Sequence, residues 1–183
     1  MRTKKRALCW AFLMILLLGT LSGCGGQKAE EALDAALSAL VSGDSQDVPL
    51  LGLDGSPVTG FENEGLAQVI SGRLQYEIKE VSAKGGKAAA TVEITAPDTP
   101  AIIREVLDGM EEYDEEAFVA RMAEKLEDSA PSAVFTVEVE LERVDGIWCL
   151  VPSAELSNAM TGGLLQAYAD QVRQIQSELL GGN

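Results

Sequence analysis

The chain contains no histidine among its 183 residues. Ser-His-Asp and Cys-His nucleophilic catalysis are thereby excluded, and so are the usual zinc and iron ligand sets, which lean on imidazole. Cysteine is scarce: Cys9, Cys24 and Cys149 are too few for a disulfide framework, so stability must come from a hydrophobic core. Basic residues are outnumbered, 14 against 29 acidic ones, for a formal net charge of −15. Nucleic acid and bare anionic lipid are therefore not expected as partners. A phosphate loop is missing as well, since Gly162-Gly163 has neither the spacing nor the lysine of one. The uncharged run Ala7 to Leu18 is only about a dozen residues, whereas a spanning helix needs about twenty.

What is present at the N-terminus is a positively charged start, Arg2, Lys4, Lys5 and Arg6, followed by that short apolar run and by small residues. This is the layout of a secretory signal peptide. Leu21-Ser22-Gly23-Cys24 resembles the lipobox of bacterial lipoproteins. The resemblance implies acylation of the Cys24 thiol, recognition of Leu21, Ser22 and Gly23 by signal peptidase II, and cleavage before Cys24. The expected product is extracytoplasmic and held to the cell membrane by its N-terminal lipid, because several acyl chains anchor stably where one does not. Removing residues 1–23 takes away four of the 14 basic residues and none of the 29 acidic ones, leaving 10 against 29 and a charge of −19. Residues 24–28 would then form a lipidated tether and 29–183 a single domain, long enough to bury one core.

Within that domain, Ala32, Leu33, Ala36, Leu37, Leu40 and Val41 recur at helical spacing and predict an amphipathic helix stopped by Gly43. Asp44 to Gly60 reads as an irregular connection, and Phe61 to Ser71 as a short helix stopped by Gly72. Leu74, Tyr76 and Ile78 alternate with polar residues, and Lys84-Gly85-Gly86-Lys87 is a turn into a strand with Ala88, Ala90, Val92 and Ile94 on one side. A second hairpin alternates Phe135, Val137, Val139 and Leu141 with Thr136, Glu138, Glu140 and Glu142. Asp145-Gly146 suits its type I′ turn. The return strand, Ile147 to Val151, is apolar almost throughout and should lie centrally, covered on both faces. Between the hairpins two helices are expected, the first with Pro100 at its first position and the second capped by Asp114. A long C-terminal helix carries Leu164, Leu165, Tyr168, Val172, Ile175 and Leu179 after a break at Gly162-Gly163. The fold class is α+β, with a four-stranded, mainly antiparallel sheet packed with helices.

Three stretches carry a family likeness: Val41-Ser42-Gly43-Asp44; Thr91 to Asp98; and Arg143 to Leu150 leading into Asn158 to Leu164. They resemble the small NTF2-like lipoproteins of Gram-positive bacteria. That resemblance implies a cone in which a sheet wraps around helices and encloses a pocket. The extra helices between the hairpins and the long last helix depart from the simplest version.

Candidate chemistry is sparse. Glu111, Glu112, Asp114, Glu115 and Glu116 are the densest carboxylates, but they lack the alternating spacing and glycine of a calcium loop, and helix capping accounts for them. No metal, cofactor or catalytic residue is assigned. NTF2-like enzymes use an acid and a tyrosine inside the cone, yet Tyr76 falls on the apolar face and no carboxylate on either hairpin is patterned inward. Trp148 and Cys149 read as core. The expected activity is non-enzymatic binding of a protein or an apolar small molecule. The alternatives are an NTF2-like enzyme with carboxylate and tyrosine acid–base chemistry, and a structural interaction module.

Overall fold

The computed structural model describes residues 23–60, 66–112, 114–127 and 132–181. The leader, Leu21 and Ser22 of the lipobox, and the Phe61 end of the expected short helix lie outside those residues. No helix among the described residues is long and apolar enough to cross a membrane.

Helix α1 spans Gly23–Ser42 and buries Ala29, Leu33, Ala36 and Leu37 along one face. Residues 24–28, expected as a tether to the body, are thus its first turns. Gly43, with φ +82°, ends it as expected, where Asp44 donates its N–H to the Ala39 carbonyl. A single 3-10 turn follows at Ser45–Asp47.

The connection expected to be irregular instead contains two three-residue strands, β1 (Pro49–Leu51) and β2 (Pro57–Thr59), paired antiparallel across a turn at Asp54-Gly55. They extend the sheet from the expected four strands to six. Strands this short give no alternation to read, which is why the sequence pattern stops at four. The short helix α2 spans Leu66–Ser71. Strands β3 (Gln75–Lys84) and β4 (Lys87–Pro97) form the first hairpin, β5 (Ser132–Val144) and β6 (Ile147–Leu150) the second. Gly85 and Gly86 at the first turn and Asp145 and Gly146 at the second all take positive φ, as a type I′ turn requires.

The sheet order is β2-β1-β6-β5-β4-β3, antiparallel throughout except for the β1–β6 contact at Leu50 and Leu150. One face is apolar: Ala88, Ala90, Val92, Ile94 and Ala96 of β4 lie beside Val137, Val139 and Leu141 of β5, all buried. The other face carries Thr91, Glu93, Glu138, Glu140 and Glu142, with Lys87 paired to Glu142 at 3.2 Å and Thr91 bonded to Glu138. In β3 the register slips between Ile78 and Glu80, so the inward set changes from Tyr76 and Ile78 to Val81 and Ala83. This bulge at Lys79 sits on an edge strand, where it interrupts the row of free main-chain groups.

Strand β6 is interior, as its apolar run suggests. Leu150 faces the core, while Cys149, opposite Glu142, faces the other way, and both are buried. The covering is not complete, because Ile147 at the turn is 53 % exposed.

Helices α3 (Thr99–Asp108) and α4 (Glu115–Glu127) join the two hairpins. Asp98, not Pro100, begins α3: its carboxylate accepts from Ala101 N–H, and Pro100 falls one place later than expected. Asp114 caps α4 by accepting from Ala117 N–H at 2.7 Å, with Glu115 and Glu116 in the first turn. Ile102, Val106, Met122 and Leu126 bury the inner faces of these helices. Lys125 bridges back to Glu105 at 3.0 Å. Helix α5 (Ala154–Met160), capped by Ser153, lies over β4 and β5, and α6 (Leu164–Gly181) follows the Gly162-Gly163 break. Asn158 reaches across that break to accept from Gln166 N–H at 2.8 Å.

Candidate functional site

Where the C-terminal end of α1, strands β1 and β6, and helices α2 and α5 converge, their apolar faces leave a cavity of about 210 Å³. Leu40 of α1 and Leu50 of β1 form one wall. Ile70 and Leu74, at the end of α2 and just past it, form the second; Leu156 and Met160 of α5 close the third, with Leu150 of β6 among them. Ala67 stands exposed at the rim. Each residue is placed by an ordinary device: Ser153 starts α5, Gly43 stops α1, and Gly72 N–H closes α2 on the Gln68 carbonyl.

The polar lining consists of three hydroxyls. Ser71 Oγ donates to the Gln68 carbonyl at 3.0 Å, Ser157 Oγ to the Ser153 carbonyl at 2.8 Å, and Thr161 Oγ1 to the Ser157 and Asn158 carbonyls. Ser71 is the buried one of the three. No carboxylate or ammonium group stands among the lining residues. The lining is therefore uncharged and mostly aliphatic, and its side chains supply no acid or base for chemistry.

Tyr76 does have an acid beside it, one that the sequence pattern missed. Its hydroxyl donates to Asp34 Oδ1 of α1 at 2.7 Å, while its ring packs on the core. The pair lies in a separate, open depression with Glu30, Glu31 and Glu77, away from the apolar cavity. Asp34 is exposed, on the wet side of α1. The bond ties α1 to edge strand β3. Burial of the ring, then the bond to Asp34, raises the Tyr76 pKa above its ordinary value of 10.0. The unfolded chain releases this proton near pH 10 while the folded chain keeps it, so stability falls as pH rises from about 10 through the folded value. Tyr76→Phe should cost about 1 kcal/mol at neutral pH and make that alkaline decline shallower. Urea denaturation of both proteins at pH 7 and above pH 10 checks this, and parallel declines would refute the assignment.

The other sequence candidates are not gathered into a site. Glu111, Glu112, Asp114, Glu115 and Glu116 are all exposed around the start of α4, and no cluster of three or more metal-ligating side chains occurs among the described residues. Trp148 is half-buried against the core. Cys149 is enclosed, and burial pushes its thiol pKa up, away from a reactive thiolate. Cys24 lies in the first turn of α1. A shallower groove between α3 and α6 is edged by Leu107 at 44 % and Tyr168 at 68 % exposure, with Leu165 nearby at 46 %.

No family model matches the sequence, and no curated protein does. Among solved structures the chain is similar to an LEH-like epoxide hydrolase of M. tuberculosis, at 16 % identity over 80 % of this chain and 94 % of that one, with a TM-score of 0.31. At so loose a superposition, nothing of that protein's chemistry is carried over to this one.

Proposed function

We propose that the chain is an extracytoplasmic lipoprotein, cut before Cys24 and anchored by lipid on that residue, whose NTF2-like body binds an apolar small molecule without transforming it. The observation that carries the binding reading is the uncharged cavity bounded by Leu40, Leu50, Leu74, Leu150 and Leu156. The packing of helices on one face of a mainly antiparallel sheet supports the NTF2-like cone. The charged start, the short apolar run and Leu21-Ser22-Gly23-Cys24 support the anchor. An enzymatic reading finds less support, because Tyr76 and Asp34 meet outside the cavity.

Met160 gives a local readout, since its side chain lines the cavity while Met122 is buried elsewhere in the core. With methyl-labelled methionine in the full chain, a short uncharged alkyl probe should move the Met160 resonance and leave Met122 in place. Ala67→Trp, a plug at the rim, should weaken that response about tenfold or more. A Met160 resonance indifferent to every probe refutes the binding reading. For the anchor, fatty acid fed to expressing cells should label the wild type and leave Cys24→Ala unlabelled; label on the variant refutes it.

A second reading, docking of a protein partner, is favoured by Leu107, Leu165 and Tyr168, three large apolar side chains left open on α3 and α6.

A further inference from the structure

Resting on the binding reading above, we infer that the cavity selects an uncharged alkyl chain ending in a hydrogen-bond donor, of the primary-alcohol class, and rejects the carboxylate of the same length. The size follows from the volume. An apolar cavity of about 150 Å³ takes up benzene, so one of about 210 Å³ accommodates a guest of roughly six to eight non-hydrogen atoms.

The head-group preference follows from the direction of the three hydroxyl protons. Ser71, Ser157 and Thr161 each spend theirs on a main-chain carbonyl of the helix turn that carries them. Each oxygen is then left with lone pairs, and not a proton, to offer a guest. These accept from an O–H but offer nothing to an aldehyde oxygen, and they stand against a carboxylate. No lysine or arginine lines the cavity to offset an anion's lost hydration, and the whole chain carries −15. Charge and hydrogen-bond polarity therefore point the same way.

Ser71 is the hydroxyl that decides the preference, being enclosed where Ser157 is exposed. Its removal leaves no orphan behind, because Gly72 N–H also bonds the Gln68 carbonyl. Ser71→Ala is thus a clean change of one acceptor.

The test uses three six-carbon probes, 1-hexanol, hexanal and hexanoate, titrated at neutral pH against the full chain in lipid nanodiscs. The Met160 methyl shift is read against the free aqueous concentration of each probe. Expected are Kd values for 1-hexanol about tenfold or more below hexanoate and several-fold below hexanal. In Ser71→Ala, the gap between alcohol and aldehyde should close to within about twofold while both still move Met160. Hexanoate binding as tightly as 1-hexanol, hexanal matching the alcohol, or a gap that survives Ser71→Ala overturns this inference and leaves the binding reading standing. Failure of all three probes to move Met160 overturns both.

Discussion

Gly162→Ala should cost about 3 kcal/mol or more, a large share of the total stability of a domain this size. Gly162 is buried with φ +60°, in the left-handed region, where a side chain is strained by about 1–2 kcal/mol. A Cβ there would also press into the Pro97 carbonyl oxygen and stand 2.5 Å from Thr99 Oγ1, both held by the end of β4 and the start of α3. The Gly162 carbonyl accepts from Thr99 N–H at 3.2 Å, so relief of the clash would pull that bond apart. Gly55→Ala separates the two causes. It has φ +77° and nothing within 4 Å of the added carbon, so it bears only that backbone strain of about 1–2 kcal/mol. Urea denaturation of the two variants should therefore give clearly unequal losses; equal ones would mean that the contact with Pro97 and Thr99 relaxes freely. Because Thr161 lines the cavity next to this joint, Gly162→Ala should also weaken probe binding.

Leu33→Ala should cost about 3 kcal/mol, within the 2–5 kcal/mol usual for emptying a leucine site in a core. Leu33 is fully buried one turn from Ala29, Ala36 and Leu37, the face by which α1 lies on the rest of the core. The hydrogen bond from Tyr76 to Asp34, which also links α1 to β3, is worth far less. Glu31→Ala, on the exposed side of the same helix, should stay within about 0.5 kcal/mol of wild type. Denaturant midpoints compare the two, and a Leu33→Ala loss below about 1 kcal/mol would mean that α1 is not fastened through this face.

The features read correctly from sequence are those with several turns of one period behind them. Both long hairpins are of this kind, as eight or more alternating residues leave no doubt about which side of β4 and β5 faces the core. Caps such as Asp114 and stops such as Gly43 are equally local. Features decided by distant contacts did not show. Pro49–Leu51 and Pro57–Thr59 become strands because β6 offers an open edge, not because three residues prefer it. Gly25 and Gly26 are poor helix formers, so the sequence places the start of α1 later than Gly23. The bulge in β3 did leave a trace, the change of inward parity from Ile78 to Val81.

The cavity was the least legible element. Leu40, Leu74 and Leu150 fall in elements the sequence predicts, but Leu50 falls in the expected irregular connection and Leu156 in a seven-residue helix the sequence does not predict. Nothing in their spacing says that five convergent elements fall short of filling the space between them. The hydroxyl of Ser71 carries no mark in the sequence either. Its significance comes from the direction of one hydrogen bond, which only the folded turn defines.

Helix α1 runs unbroken from Gly23 to Ser42, and that continuity bears on how the proposed lipoprotein searches for what it binds. From Cys24 to Leu40 at the cavity is sixteen residues, a rise of about 24 Å in a helix. A domain on a slack string would sample a hemisphere of distances above the bilayer. A domain anchored at Cys24, whose helix continues without a break to Ala29 in the core, would stand more like a post, and the cavity toward its far end would sweep a thin layer parallel to the membrane. Encounters would then be set by lateral diffusion of the anchor and by whatever crosses that layer, and the helix length would select where ligands are met.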